Sequence, residues 1–416
     1  MQRIFSGTGA RMVRSQNKIK EIKKISRLAR DTLSCYQTTS FESEKKKRIG
    51  TFYFSFFIFY PLIVAMAPRP VFLESDLEPD DLLAVYVLLK RGYSLDQVVV
   101  GEGDSRIKLE RFLAYWAMLH AEFPRQVPAD PAVLRGLSSK KPFPGDGQDV
   151  SDDDALLVRA AAREKDEDES TVCEAYRTRL VAYLERHEAP LVIQLKPMRE
   201  LLAVWESIPH ALRLKTTLAH YGSFNYRSLM DKADPVGSHA RIEAMLRSGF
   251  GRVVVYESFL ATGAQNSITR DSMPALYRAL DAFASSSPFL DCMKRLTLAW
   301  NQHCLERCQK SVAWYDKKPQ PLSDMDREAR HRSLKIVDGI QKSLDSQMVL
   351  ADSGLALVLE NNETFSDQCV PADLSFDVAT GYTQHVPRAD ATTSVYLGVP
   401  YNSLDACFCA IFALRE

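Results

Sequence analysis

The sequence predicts an α/β protein with an open, mostly parallel sheet and helices on both faces. Three observations carry that expectation. Short apolar runs alternate with stretches of helical periodicity from residue 71 to residue 360. The runs are continuously apolar rather than alternating, the pattern of strands covered on both sides. The composition, 46% hydrophobic and 25% charged over 416 residues, is that of a soluble globular chain and excludes wholesale disorder or a polytopic membrane protein.

VFLES (71–75) is the first strand, and DDLLAVYVLLKRG (80–92) follows as a helix that stops at Gly92. QVVV (97–100) precedes an amphipathic helix from Arg106 to Phe123. LVIQL (191–195) precedes the helical MRELLAVWES, and LRLKTTLAHYG (212–222) leads into a loop and the helix SHARIEAMLRSG, which closes on Gly249. RVVVYES (252–258) is followed by a helix from near Pro274, then by the helical FLDCMKRLTLAWNQHCLERC and a loop after Trp314-Tyr315 marked by Pro319 and Pro321. QMVL (347–350) precedes the helix SGLALVLE. The acid-rich run 149–170 reads as a solvated face or an insertion. Ligands of such folds sit beyond the carboxyl ends of the strands, so chemistry is sought just after each run.

The front of the chain is different. Residues 1–48 hold 13 Lys/Arg against four acids, a net +9, which leaves −9 on the rest of a chain whose 53 bases and 53 acids cancel. An acidic body argues against a nucleic-acid partner. The 20 residues 49–68 are uncharged and follow Lys45-Lys46-Lys47-Arg48, the pattern of a signal-anchor with a cytoplasmic N-terminal side; a signal peptide with a long basic region fits less well. Met66 offers an equal alternative, that translation starts there. The chain is therefore membrane-anchored if residues 1–66 are translated and otherwise cytoplasmic, and 67–416 is read as the folded domain. The eight cysteines are scattered. His303-Cys304 with Cys308 lacks the second half of a zinc site, so these thiols read as packing.

Glu74, Asp76, Glu78, Asp80 and Asp81 place five carboxylates in eight residues, across a strand end, a loop and a helix start. Helix capping accounts for one or two of them. Crowded carboxylates repel unless a cation neutralises them, and a hard divalent ion with oxygen ligands does so. Asp352 occupies a matching position, between the apolar QMVL and a helix, and is expected at the same sheet edge as Asp76.

At these residues the chain resembles the inosine-uridine preferring nucleoside hydrolases. Their D-x-D-x-x-x-D-D motif is matched by Glu74-Ser75-Asp76-Leu77-Glu78-Pro79-Asp80-Asp81, with Glu for the first Asp. Gly103-Asp104 resembles the family's Gly-Asn turn, Leu195-Lys196-Pro197-Met198-Arg199-Glu200-Leu201 its L-G-P-L-T-N-L segment, and Tyr221-Gly222-Ser223-Phe224-Asn225 its ribose-binding turn. Ala351-Asp352 resembles the late His-Asp or Trp-Asp pair, and the segment from Asp373 to Leu414 its closing strands and last helix.

The resemblance implies a nucleoside hydrolase-like fold and hydrolysis of the N-ribosidic bond of a small-molecule nucleoside or riboside, as in nucleobase salvage. It implies Ca²⁺ held by Asp76, Asp81, Asp352 and the carbonyl of Arg199, with Asp76 as the base that activates water. Glu74, Asp80, Asp104, Asn225 and Asp352 would contact substrate, and the fold admits a homo-oligomer. Ala351 stands where some members carry a histidine that protonates the leaving base. Trp314, Tyr315, Tyr382 and His385 are candidates to line a base pocket, or ordinary packing. A non-catalytic descendant that binds metal and a nucleoside or sugar is the alternative. An aspartate-nucleophile phosphatase is disfavoured by Glu74, because that chemistry requires Asp as its first acid.

Overall fold

The computed structural model describes residues 67–103, 105–138, 168–222, 226, 229–231, 233–257, 267–268, 273–318, 321–342, 348–349, 352–360, 364–378, 382–397, 399 and 401–413. Its centre is a nine-stranded sheet in the order β10-β9-β11-β6-β5-β4-β1-β2-β3. The strands are β1 Arg69–Ser75, β2 Tyr93–Val100, β3 Val133–Arg135, β4 Leu191–Gln194, β5 Thr217–Tyr221, β6 Arg252–Glu257, β9 Cys369–Asp377, β10 Tyr382–Pro387 and β11 Ser394–Leu397. From β3 across to β11 every pairing is parallel, and β9 pairs antiparallel with both β11 and β10.

The order gives the site its place. The chain runs outward from β1 to β2 and β3, then returns to the other side of β1 for β4, β5 and β6. The sheet therefore reverses direction of growth between β1 and β4, and a crevice opens beyond the carboxyl ends of those two strands. Glu74 and Gln194 are register partners at that edge.

Side chains alternate between the two faces. On one face Phe72, Val99, Val192, Leu218, Val253 and Val255 form a core with α3 (Glu169–Arg186), α4 (Arg199–Val204) and α6 (Pro235–Ser248). The opposite face is covered by α1 (Pro79–Lys90), which is buried on every side from Pro79 to Leu89. This explains its nearly unbroken apolar sequence. Tyr86 of α1 is stacked between Phe289 of α8 (Pro288–Asp316) at 5.9 Å and Phe412 of α11 (Tyr401–Ala413) at 5.6 Å. Beside α1 lies α10 (Asp352–Glu360), with Gly354 against the ring of Tyr256, where a Cβ would come within 2.6 Å. Gly92, at φ 82°, ends α1 and turns the chain into β2.

The remaining elements are α2 (Ser105–Glu122), α5 (His210–Leu214), α7 (Pro274–Ala284) and α9 (Asp324–Lys342). Sequence and structure agree on the parallel sheet, its two helical layers and the closing β9-β10-β11-α11 segment. Two readings need correction. LRLKTTLAHYG divides, its first residues completing α5 and only Thr217–Tyr221 forming a strand. QMVL is not a strand of the main sheet: Met348–Val349 (β8) pairs antiparallel with Ser267–Ile268 (β7) in a separate ribbon. The place beside β6 is taken by β11, which pairs with it in parallel.

Among the described residues no helix is long and apolar enough to cross a membrane. Of the uncharged run 49–68 all but the last two residues lie outside the described residues, as does the acidic run up to 167. The side chains of His303 and Cys304 also lie outside them.

Candidate metal centre

Two helices that adjoin each other begin at the crevice. Asp80 and Asp81 lie in the first turn of α1, and Asp352 is the first residue of α10. Carboxylate oxygens of these three residues lie within 4.8 Å of one another, and all three side chains are buried. The N-terminal ends of both helices carry partial positive charge, which favours acids there.

Asp81 has two distinct oxygens. Its Oδ2 accepts hydrogen bonds from Ser75 Oγ (2.5 Å), the Asp76 N–H (2.9 Å) and the Leu77 N–H (2.9 Å). Those bonds fold the β1–α1 loop into a tight arc, with Leu77 in the left-handed region at φ 58°. Its Oδ1 is buried and has no hydrogen-bond partner among the described residues, and neither has Oδ1 of Asp352. Buried carboxylate oxygens without a partner are costly, and a cation satisfies them.

The electrostatics agree. Burial, then the neighbouring carboxylates of Asp76 and Asp80, push the Asp81 carboxyl well above its usual range. Burial, then Asp81 and Asp80, do the same to Asp352. Burial and then Asp76 raise Asp80 to about 6, although the Asp352 backbone N–H bonds it and opposes the shift. Without a cation these groups keep protons at a pH where exposed carboxyls have lost them. The donors are all oxygen, so the residues present fit a hard divalent ion.

Asp76 is 7% exposed beside this trio. Glu74 is wholly buried on the other side of the strand. It accepts from the Tyr176 hydroxyl and the Gln194 amide, and its Oε2 is 3.3 Å from Lys196 Nζ. Lys196, also wholly buried, donates to Glu200 as well. Glu200 Oε1 accepts the Leu137 N–H at 2.7 Å and lies so close to Gly136 that a Cβ there would be 2.4 Å away. Burial raises Glu74 to about 7, with the Lys196 ammonium opposing. This network ties together the ends of β1 and β4, the first turn of α4 and the segment after β3. Arg199 opens α4, and its guanidinium lies 3.6 Å from Glu102 and donates to the Ser138 carbonyl at 3.1 Å. Asp104, Asn225 and Ala351 lie outside the described residues.

Of the aromatic candidates, Trp314 is 55% exposed on α8, with Lys318 Nζ 4.0 Å from its ring centre. His385 is buried, and the Tyr226 hydroxyl sits 2.6 Å from its Nε2 and 3.2 Å from His220 Nε2. Burial lowers His220 to about 4 and His385 to about 3, so both rings are neutral at pH 7. The side chain of Tyr382 lies outside the described residues.

Sequence reasoning missed Lys196, Glu200, Lys108 and the His220–Tyr226–His385 cluster. Lys196 and Glu200 did leave a signal, the i,i+4 spacing of an opposite-charge pair directly after an apolar strand.

The fold and site define an α/β protein with an acidic, cation-fitting centre at the switch point of its sheet. No family model matches the chain, and neither does any curated protein. Among solved structures it is similar to an inosine-guanosine nucleoside hydrolase, with 10% identity, 84% of this chain and 99% of that one covered, and a TM-score of 0.47. It is also similar to a purine-preferring ribonucleoside hydrolase from Gardnerella vaginalis, with 13% identity, 83% and 98% coverage, and a TM-score of 0.48.

Proposed function

We propose that the chain is a Ca²⁺-dependent hydrolase of the N-ribosidic bond of nucleosides. The observation that supports this reading is the convergence of Asp80, Asp81 and Asp352 at the switch point, with two buried carboxylate oxygens left unbonded. Asp76, Asp81, Asp352 and the carbonyl of Arg199 would hold the ion. When bound, a hard divalent ion orients a water molecule and lowers its pKa.

The chain's own residues do the rest. Asp76 takes the proton of the attacking water. Asp80, Asp104, Asn225 and Asp352 bind ribose hydroxyls and hold the sugar for attack at its anomeric carbon. The bond from that carbon to the base breaks, and its electron pair leaves with the base, as in glycoside hydrolysis generally. The products are ribose and the free base. Glu74, which the resemblance also places at the substrate, is wholly buried against Lys196, Tyr176 and Gln194, where it ties the ends of β1 and β4 together.

Ala351 brings no proton to the departing base, and such a proton is worth about 10²–10⁴-fold. The reading therefore favours ribosides whose leaving group departs without protonation. The test is release of ribose from inosine, uridine and nitrophenyl riboside by the native protein and by Asp76→Ala. The nitrophenyl compound should react fastest, and Asp76→Ala should cleave none. Ligand binding without release of ribose from any of the three would favour a non-catalytic nucleoside-binding protein instead.

A further inference from the structure

The Asp76 peptide is held from both ends. Its N–H donates to Asp81 Oδ2 at 2.9 Å, and the next N–H, that of Leu77, donates to the same oxygen and to Ser75 Oγ at 3.0 Å. The carbonyl of Asp76 accepts from Nζ of Lys108, which comes from a different element, the first turn of α2. Lys108 is 5% exposed, and its charge acts on Glu78 in the same loop. Leu77 sits in the left-handed region at φ 58°, a conformation that a residue with a Cβ adopts only at a cost, and these bonds hold it there.

We propose that Lys108 is a positioning residue for Asp76: its ammonium fixes the Asp76–Leu77 peptide and so presents the Asp76 carboxylate to the cation site. This rests on the reading of Asp76 as ligand and base. Two roles of a buried ammonium beside a cation site predict opposite signs. An ammonium acting only as a charge repels the ion, so removing it tightens binding. An ammonium acting through the loop loosens the site when removed, and binding weakens. Loss of an outer partner of a metal ligand typically costs about 10–100-fold in affinity or activity.

The experiment is calorimetric titration of Ca²⁺ into the full-length native protein, Lys108→Met and Lys108→Arg, with kinetics on nitrophenyl riboside. In Lys108→Met the calcium dissociation constant should rise about tenfold or more, and kcat should fall about 10–100-fold while KM stays within about threefold. Lys108→Arg, which keeps a charged donor, should recover part of both losses. If Lys108→Met does not fold, Lys108→Gln takes its place and should show the same weakening. Unchanged or tighter calcium binding in the folded neutral variant would overturn the inference alone. A native protein that binds no calcium would overturn the metal reading and this inference with it.

Discussion

Replacing Asp81 by Asn changes one atom and separates the two tasks of that side chain. The Asn carbonyl can keep the three hydrogen bonds that Oδ2 accepts, so the β1–α1 loop stays folded. The amide nitrogen then occupies the place of Oδ1, the buried oxygen with no hydrogen-bond partner among the described residues, and presents N–H groups where a cation would sit. Without a cation, burial and the neighbouring carboxylates already hold the Asp81 carboxyl protonated well above its usual range, so a neutral amide in its place removes no ionised group. Calcium-free Asp81→Asn should therefore be about as stable as calcium-free native protein at neutral pH. With calcium the native protein becomes the more stable. An ion present at about 100 times its dissociation constant stabilises the native protein by about 2.7 kcal/mol. A body of about 350 residues has an unfolding entropy of about 0.7 kcal/mol/K, so Tm should rise by about 4 °C. Asp81→Asn should gain less than about 1 °C under the same conditions. Differential scanning calorimetry of both proteins with chelator and with calcium measures all four values. An equal calcium-induced rise in the two proteins would refute the assignment of Asp81 as a ligand. A large loss of stability in the calcium-free variant would show that its charge is structural.

Two further outcomes follow from the buried network and the histidines. Lys196→Met leaves Glu74 and Glu200 buried without their counter-charge, which should cost about 3–5 kcal/mol, and adding Glu200→Gln should recover part of it; urea unfolding of the three proteins measures both. His220 and His385 have folded pKa values depressed to about 4 and about 3, below that of an exposed histidine. Their contribution to stability is thus complete above about pH 6.5 and is lost as pH falls from there through about 4 and then 3. Unfolding free energies at pH 7.5, 5.5 and 4.5 should fall more steeply for the native protein than for His385→Leu, and parallel slopes would exclude the histidines as the cause.

The fold was legible where a strand is mostly a continuous apolar run, as in β1, β4 and β6; β3, Val133–Arg135, is too short to register, and β5 carries Thr217 and His220 among its apolar residues. β8 misled because an apolar run of four residues does not specify its partner; its described residues, Met348 and Val349, pair in a ribbon outside the main sheet. Asp80 and Asp81 stood out because the acids crowded around them exceed what capping requires, and Asp352 because it stands between an apolar run and a helix start. Lys108 gave no such signal, and the i,i+4 spacing of Lys196 and Glu200 marks a charge pair after β4 without showing that it is enclosed. A single lysine in a helix or after a strand ordinarily extends to solvent, and only tertiary structure shows that both ammonium groups are enclosed. Tyr226 and His385 meet across 159 residues of sequence, a separation over which no local pattern carries information.

The central claim is that this acidic centre hydrolyses N-ribosidic bonds with the help of a divalent ion, and nitrophenolate release from nitrophenyl riboside tests it most directly. The rate should fall to background on chelation, return on adding Ca²⁺, and be absent in Asp76→Ala with or without the ion. No release by the native protein in calcium, or release unaffected by both chelation and Asp76→Ala, would contradict it.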